Sequence, residues 1–342
     1  MKIQDIAKLA GVSKSTVSRV LNNANNVKDG TREHVLRIIK EFNYSPSAIA
    51  QGMPRQNSKV IGVIIPEPDN SFFGKEILGI ENKLEELNLN LNIIVSHTHN
   101  SPKKELRALN MLRQQRVKGL ILTTSIEYLE RNEFLEMKKQ LDEFIAPIVL
   151  FDRKVPNSNI DGVYFDNENS AYKATELLIT NGSRRIGAII GDLKLTLGRE
   201  RAMGFNRAME KYNLPIQENF LQIDDYPITT EKAYELTRIM IESDNCPDAV
   251  FLSNNLVADG FLKAISEMGL RLGYDLCCIG LDRSYASDLL NVNYSFIDKN
   301  PMLMGKLDIE LLIKRFHEHA IPKIEKMQYG IMTINGSEKR IL

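Results

Sequence analysis

Short apolar segments alternate with helix-patterned segments from residue 59 to residue 282, and no other feature constrains the fold of this chain as strongly. The first series reads "VIGVII", "LNIIVS", "GLILTT" and "PIVLFD", with helical patterns over residues 73–87 and 102–115 between the apolar segments. Buried strands that alternate with helices are typical of parallel sheets with helices on both faces. The sequence therefore predicts a doubly wound α/β fold.

A second series of the same kind follows. Its apolar segments read "GVYFD", "RIGAIIG", "DAVFLS" and "DLCCIGLD", and helical patterns cover residues 169–180, 199–212 and 257–268. A chain of 342 residues is also long enough for two or three domains of typical size. We expect two parallel-sheet subdomains with clefts at the ends of their strands.

The N-terminal stretch "GVSKSTVSRVLNN", residues 11–23, has a different pattern. Val12, Val17, Val20 and Leu21 recur at helical spacing, which predicts a helix with one buried stripe. Asp5 and Ser13 are placed to cap two successive helices, with Gly11 as the break between them. A third helix is predicted over residues 31–41, packing Val35, Ile38 and Ile39 onto the other two. Two short helices around a glycine turn predict a helix-turn-helix.

The charge distribution suggests a partner for this segment. Residues 1–60 contain ten Lys or Arg and four Asp or Glu, a net charge of +6, whereas the remaining residues carry −6. A basic head on an acidic body indicates a polyanion partner for the head. Spacing and charge alone also fit a solvated amphipathic helix with incidental hydroxyl groups.

The exact sequence of the segment favours DNA as the partner. "IQDIAKLAGVSKSTVSRVLNN" and "VKDGTREHVLRIIKEFNYSPSAIA" closely resemble the DNA-binding head of the LacI/GalR family of bacterial transcription regulators. The resemblance implies a DNA-binding head over residues 1–46. It implies base contacts by Lys14, Ser15 and Arg19, and phosphate contacts by Thr16 and Ser18. The full set of DNA-binding positions it implies is Ser13, Lys14, Ser15, Thr16, Ser18, Arg19, Asn22, Ala50 and Met53.

The segment that follows reads as a linker, because it is rich in Pro, Ser, Gly and Gln. The resemblance implies a hinge over residues 47–58, of which residues 47–53 become a short helix on operator DNA. Met53 stands where the family usually has a leucine wedge between base pairs. Gly52 and Pro54 depart from the family pattern, and glycine costs a helix about 1 kcal/mol relative to alanine. A plain interdomain tether is the alternative.

The resemblance continues through the alternating region, and it implies a periplasmic-binding-protein-like core. The expected first subdomain comprises residues 59–161 and 292–322, and the second comprises residues 162–291 and 323–342. The predicted fold class is thus an all-α helix-turn-helix head followed by a core of two doubly wound parallel-sheet subdomains.

Ligands of open α/β sheets bind beyond the carboxyl ends of the strands. The residues expected at these strand ends include carboxylates, amides and guanidinium groups beside aromatic rings. Such a set suits a polyol or sugar, because each hydroxyl both donates and accepts hydrogen bonds. Asn255 replaces a common family aspartate and "FIDKN" replaces a frequent V-R-Q-P, so the identity of the effector is not inherited. For any one of these residues, helix capping or a surface ion pair explains it as well. The predicted effector-binding residues are Asp69, Phe72, Phe73, Thr123, Asp152, Arg153, Arg201, Asn254 and Asp282.

Signatures of other functions are missing from the sequence. There is no GxxxxGK[ST], GxGxxG or GxSxG motif, so no enzyme activity and no catalytic residue is predicted. His97 and His99 have no third ligand motif beside them, and the three cysteines lack metal or disulfide spacing, so neither a metal nor a cofactor is expected. No apolar run is long enough for a membrane helix or a secretion signal, which predicts a cytoplasmic protein without membrane association.

We therefore interpret the sequence as a homodimeric, ligand-responsive repressor that binds double-stranded operator DNA. Its effector is expected to be a sugar, sugar acid or sugar phosphate that closes the two subdomains and changes whether the hinges order on DNA. A sugar-binding module or a sugar-processing α/β enzyme are the alternatives. A sugar-binding module is expected to carry an export signal and to lack the basic head. A sugar-processing enzyme would need catalytic motifs.

Overall fold

The structure, a computed structural model, describes residues 3–21, 27–42, 58–243, 245–318 and 321–340. The chain divides into two compact units, Met1–Asn57 and Ser58–Leu342. The division falls beside residue 58, where the sequence predicts the end of the hinge.

Three helices form the described part of the N-terminal unit: α1 (Ile3–Leu9), α2 (Lys14–Leu21) and α3 (Asp29–Glu41). Between α1 and α2 the chain turns at Gly11, whose φ is 60°, a conformation that glycine adopts with little strain. Ser13 caps α2 as predicted, because its Oγ accepts a hydrogen bond from the Thr16 N–H at 3.1 Å. Asp5 lies in the first turn of α1 as the structure describes that helix.

The apolar stripe of α2 packs as the periodicity predicts. Val17 and Val20 are buried against Ile6, Val35 and Ile38, and Val12 and Ile39 pack against the same cluster. The side chain of Leu21 lies outside the described residues. This small core leaves the opposite face of α2 to the solvent.

The described core consists of strands and helices that alternate along most of its length. The strands are β1 (Val60–Ile65), β2 (Asn92–His97), β3 (Gly119–Leu122), β4 (Ile148–Phe151), β5 (Asp161–Phe165), β6 (Ile186–Ile190), β7 (Leu221–Ile223), β8 (Ala249–Leu252), β9 (Cys277–Leu281), β10 (Phe296–Asp298), β11 (Glu325–Gln328) and β12 (Ile331–Thr333). The helices are α4 (Ser71–Glu86), α5 (Pro102–Gln114), α6 (Arg131–Asp142), α7 (Asn167–Thr180), α8 (Thr196–Lys211), α9 (Thr230–Ile241), α10 (Asn255–Glu267), α11 (Tyr285–Leu289) and α12 (Pro301–His317).

The strands form two six-stranded sheets, which confirms the predicted architecture. The first sheet has the order β11-β5-β4-β3-β1-β2 and is parallel throughout. In its centre, Gly62 lies opposite Ile94 on one side and Leu120 on the other. The second sheet has the order β12-β10-β9-β8-β6-β7, and only β12 runs antiparallel to its neighbour. The carboxyl ends of the parallel strands define where the site is built.

Strand pairing differs from the predicted subdomain boundaries at three places. β5 pairs with β4 in the first sheet, although residues 162–291 are expected in the second subdomain. β10 pairs with β9 in the second sheet, although residues 292–322 are expected in the first. β11 pairs with β5 in the first sheet, although residues 323–342 are expected in the second. A local apolar pattern identifies a strand, whereas its neighbour in the sheet depends on contacts that are distant in sequence.

The helices α4 and α12 pack closely on the first sheet. A Cβ atom on Gly79 would lie 2.1 Å from the Met302 carbonyl oxygen, and one on Gly305 would lie 2.3 Å from that of Glu76. Only glycine allows this approach of the two backbones. The contact fixes the position of α4, whose first turn carries Phe72 and Phe73.

Candidate functional site

The polar face of α2 is the candidate DNA-binding surface. Lys14, Ser15 and Arg19 are exposed on it, and Thr16 and Ser18 are partly exposed. At the start of the helix, the Ser13 hydroxyl lies 2.7 Å from the Ser15 hydroxyl and 2.8 Å from that of Thr16. Val17 and Val20 point the other way into the core. The predicted contact residues of this helix therefore share one accessible face. Asn22, Ala50 and Met53 lie outside the described residues.

Three aspartates mark the carboxyl ends of strands in the core. Asp152 directly follows β4, Asp282 directly follows β9, and Asp192 comes two residues after β6. All three are buried, and their φ angles of 63°, 72° and 67° for Asp152, Asp282 and Asp192 lie in the left-handed region. Asp tolerates this conformation better than most residues because its short side chain can hydrogen-bond locally. The arrangement directs carboxylates from both sheets into one cleft between the subdomains.

Most of the predicted effector-binding residues line this cleft. They are Phe72, Phe73, Asp152, Arg153, Arg201, Asn254 and Asp282. Five further polar residues line the cleft: Glu67, Asn70, Asp192, Asn255 and Lys299. Asp192 could have been found from its sequence, since it follows the apolar segment "RIGAIIG" as Asp152 follows "PIVLF".

Two predicted residues lie outside the cleft lining. Asp69 is exposed in the loop before α4, and its neighbour Asn70 takes the inward position and caps the helix. Thr123 is 1% exposed and continues the pairing of β3, because its N–H donates to the Ile64 carbonyl at 2.9 Å. Both positions follow the expected strand ends, but the local turn decides which side chain faces the cleft.

A buried ion pair forms the floor of the cleft. Lys299 Nζ lies 2.9 Å from Asp282 Oδ2, and the two side chains are 3% and 8% exposed. The ammonium group also lies 5.1 Å from the ring centre of Phe72 and 5.4 Å from that of Phe165, within cation–π range. Burial raises the pKa of Asp282 and lowers the pKa of Lys299, and the attraction between the two charges opposes both shifts. The pair compensates two charges that would otherwise be costly to bury.

Asn167, which was not among the predicted site residues, holds Arg201 beside this pair. The Arg201 Nε donates to Asn167 Oδ1 at 2.9 Å, and Asn167 Nδ2 donates to the Phe165 carbonyl at 3.2 Å. Arg201 is only 3% exposed. Asn167 therefore orients the guanidinium group from the start of α7.

On the side of the first subdomain, the cleft is lined by a hydrogen-bonded network. Arg153 Nη1 donates to Asn100 Oδ1 at 2.7 Å and to the Thr124 carbonyl at 3.2 Å. Asn100 Nδ2 in turn donates to Glu67 Oε1 at 2.9 Å. Burial raises the pKa of Glu67, although hydrogen bonding from Asn70 and the charge of Arg153 oppose the shift. The network fixes Arg153 in the lining of the cleft.

Asn255 joins the two subdomains at the cleft. Its Nδ2 donates to Asn70 Oδ1 at 2.9 Å, from the first turn of α10 to the residue that caps α4. Asn254, the neighbouring residue, uses its own side-chain oxygen to cap α10 through the Val257 N–H at 2.8 Å. The capping alternative is thus present for Asn254, which also lines the cleft.

Two carboxylate oxygens in the cleft have unused hydrogen-bonding capacity. Asp152 Oδ1 and Asp282 Oδ1 are buried and accept no hydrogen bond from any residue that the structure describes. A buried acceptor without a partner is costly. Donor groups of a bound molecule would remove that cost, and the rings of Phe72 and Phe73 offer an apolar surface beside them.

Within the described ranges, no cluster of three or more His, Cys, Asp or Glu residues has a geometry that could hold a metal ion. The rings of His97 and His99 contact each other edge to face with centres 4.7 Å apart. None of the helices in the described part of the chain has the length and apolar character needed to cross a membrane.

Comparison with known proteins covers both units. Residues 2–47 match the family described as bacterial regulatory proteins, lacI family, and residues 58–330 match the periplasmic binding proteins and sugar binding domain of LacI family. The chain is 31% identical over 340 residues to the HTH-type transcriptional repressor PurR of Actinobacillus pleuropneumoniae serotype 3, covering 99% of this chain and 96% of that protein.

Two solved structures are similar along nearly the whole chain. A LacI-family transcriptional regulator from Silicibacter pomeroyi is 25% identical, with a TM-score of 0.83 over 99% of this chain and 100% of that one. The transcriptional regulator CelR in complex with cellobiose is also 25% identical, with a TM-score of 0.70 over 98% of this chain and 99% of that one. Both similarities extend through head and core.

Proposed function

Because the chain belongs to the lacI family of bacterial regulatory proteins, we propose that a small carbohydrate-like effector, bound between the two core subdomains, controls its binding to operator DNA. The chain itself is a sequence-specific DNA-binding transcriptional regulator of the repressor type.

On the DNA side, we assign base contacts to Lys14, Ser15 and Arg19. Their common exposed face on α2 supports this assignment, since the second helix of a helix-turn-helix lies in the major groove. Thr16 and Ser18 are assigned to phosphate groups, which fix the register without reading sequence. Ser13, Asn22, Ala50 and Met53 complete the proposed DNA-binding set.

The observation that carries the effector proposal is the unused hydrogen-bonding capacity in the cleft. Asp152 Oδ1 and Asp282 Oδ1 come from different sheets, and Arg201 lies beside them. Each hydroxyl of a sugar donates one hydrogen bond and accepts others, so a polyol satisfies carboxylates and a guanidinium group together. The cellobiose bound to the similar regulator CelR supports this class of ligand.

Several finer assignments belong to the same proposal. The effector is a sugar, sugar acid or sugar phosphate, and its binding changes the relative position of the subdomains. The repressor acts in the cytoplasm as a homodimer, because two-fold operators are read by two-fold dimers. Its relatives are repressors rather than enzymes, and we assign no reaction and no cofactor to the cleft.

A thermal-shift screen of the full chain against sugars, sugar acids, sugar phosphates and purines tests the effector class. A compound that binds only the folded state at 100 times its Kd stabilises the protein by about 2.7 kcal/mol, which is a measurable rise in Tm. We expect the largest shifts from sugars or their acidic derivatives. Stabilisation by purines alone would contradict the carbohydrate assignment.

A further inference from the structure

A single helical turn of the first subdomain contacts the second subdomain at the rim of the cleft. This turn, Ile126–Tyr128, follows β3 at the carboxyl edge of the first sheet. Ile126 is fully buried and anchors the turn in its own subdomain. The next two residues, Glu127 and Tyr128, reach the loop before α8 and the first turn of that helix.

Glu127 binds the N-terminal end of α8 with its carboxylate. The Thr196 N–H donates to Glu127 at 3.2 Å from Oε1 and 3.1 Å from Oε2, and the Thr196 hydroxyl donates to Oε1 at 2.6 Å. Arg199 Nη2 lies 3.2 Å from the same oxygen. The Glu127 side chain is only 8% exposed, so these are charge-assisted hydrogen bonds in a shielded place.

Helix α8 lacks a cap of its own. Leu195 occupies the N-cap position and offers no side-chain hydrogen bond, whereas Ser, Thr, Asp or Asn is preferred there. A carboxylate near the first turn also interacts favourably with the helix dipole. Glu127 therefore supplies, from the other subdomain, the cap that α8 would otherwise need from its own chain segment.

Tyr128 adds a second contact of the same kind. Its hydroxyl donates to Asp192 Oδ1 at 3.0 Å, and its ring stacks on that of Tyr226 with centres 5.8 Å apart and planes at 17°. Burial raises the pKa of the Tyr128 hydroxyl further above its ordinary value, and the Asp192 charge adds to the shift. The hydroxyl therefore stays protonated and remains a donor.

These contacts act on a helix that lines the effector cleft. Leu197 and Arg201 both belong to α8, and both face the cleft. The contacts of Glu127 and Tyr128 therefore act on the helix that carries Arg201, and Arg201 lines the same cleft as Asp152.

We propose that Glu127 and Tyr128 are positioning residues of the effector site, which hold α8 across the cleft and thereby set the proportion of molecules with the cleft closed. This inference rests on the proposed function, because it concerns the regulation of the same site. Effector affinity then depends on how firmly these two residues hold α8, since closure and binding are coupled.

Distances between spin labels in the full chain test the inference without any ligand. The labels are attached through Lys103→Cys in the first subdomain and Lys232→Cys in the second, both exposed positions, in a Cys246→Ser background. Cys277 and Cys278 are buried and stay in place. The labelled protein is mixed with an excess of unlabelled protein, so that the distances measured lie within one chain of the proposed homodimer. We expect one predominant, short distance within the parent chain, and a second, longer distance in Glu127→Ala.

The expected loss in the ratio of closed to open molecules is at least about fivefold for Glu127→Ala, from the usual strength of charged hydrogen bonds. Glu127→Gln should show a smaller shift, because an amide oxygen still accepts from Thr196 but carries no charge. Tyr128→Phe should also shift the ratio, because it removes the hydrogen bond to Asp192 and keeps the aromatic ring. Circular dichroism verifies that each variant is folded.

Asp259→Ala is the matched control. Asp259 also binds a helix start with its carboxylate, accepting from the Ala286 N–H at 3.1 Å and the Ser284 hydroxyl at 2.5 Å, but all three residues lie in the second subdomain. The control should lower stability and leave the distance distribution unchanged. Identical distributions in the parent, Glu127→Ala and Glu127→Gln would overturn the inference. The proposed function would survive that result if the effector screen still identified a sugar, since the two experiments share no readout.

Discussion

Single residues at strand ends decide the chemistry of the core cleft. Asp152 and Asp282 take equivalent places, each directly after a central strand of its sheet, and each N–H donates to the next strand, to the Val163 carbonyl at 3.0 Å and the Ile297 carbonyl at 2.9 Å respectively. Left-handed backbone at both positions turns the carboxylates into the cleft. Lys299 then neutralises one of the two. The two aspartates thus share the same backbone conformation, but only Asp282 has a lysine as its counter-charge among the described residues.

Replacing Asp282 by Asn should weaken effector binding without changing operator binding. The variant keeps the size of the side chain but leaves the Lys299 ammonium group buried without its counter-charge, so affinity for the sugar found in the screen should fall at least about tenfold. Arg201→Ala should also lose the response. Calorimetry on the full chain measures both. Asp288→Asn, which removes an exposed partner of Arg283, is the control, and equal affinity in all variants would show that the proposed site is misplaced.

Arg19→Ala should separate base recognition from phosphate binding. A good bidentate base contact is worth about 1–3 kcal/mol, so we expect a loss of that size on the selected operator and a smaller loss on random DNA. Fluorescence anisotropy with both DNAs measures the difference. Arg37→Ala removes an equal charge from the exposed surface of α3 and should affect both DNAs alike. An equal loss on both DNAs for Arg19→Ala would make Arg19 a phosphate contact.

At the scale of elements, the contact between α4 and α12 contains two buried carboxyl groups. Glu76 and Asp308 are 0% exposed, and none of their four carboxyl oxygens has a hydrogen-bond partner among the described residues. Burial raises the pKa of both groups well above the ordinary range; the charge of Asp152 adds to the shift of Glu76, and that of Glu76 adds to the shift of Asp308. The charge of Lys326 opposes the shift of Asp308. The fold therefore favours the protonated form of both carboxyl groups.

This pair should make stability fall as pH rises. The folded state keeps protons that the unfolded chain releases above about pH 4, so the favourable contribution is present in acid and is lost as pH approaches the raised pKa values. The double variant Glu76→Gln with Asp308→Asn should lose this pH dependence. Between about pH 5 and pH 8, its free energy of unfolding should exceed that of the parent by at least about 1 kcal/mol. Urea unfolding at several pH values measures it. Parallel curves would contradict the assignment, and Glu86→Gln, on the exposed end of α4, is the control.

The elements themselves could be predicted, and their pairing could not. Apolar segments such as "VIGVII" are visible locally, whereas several helices begin two or three residues earlier than predicted, at α4 and α10 directly after the capping residues Asn70 and Asn254. The strand that contains Tyr164 pairs with β4 rather than entering the second sheet, which no local pattern states. Likewise Lys299 was missed because its role depends on Asp282, a residue distant in sequence.

At the scale of the whole molecule, two compact units divide the two binding functions. The basic face belongs to the unit Met1–Asn57 and the cleft to the unit Ser58–Leu342. A chain that begins at Ser58 should therefore retain sugar binding with unchanged affinity and lose operator binding. Calorimetry and anisotropy with the same protein measure the two properties. Retention of sequence-specific DNA binding by this chain would contradict the assignment of the head.

The most direct test joins both units in one measurement. Anisotropy of an operator selected from random DNA gives the operator affinity of the full chain with and without saturating sugar, for the parent and for Asp282→Asn. Couplings between two sites are commonly 5- to 150-fold. We expect a change of at least about fivefold in the parent and none in Asp282→Asn. An operator affinity of the parent that the bound sugar leaves unchanged, or an equal change in both proteins, would contradict it.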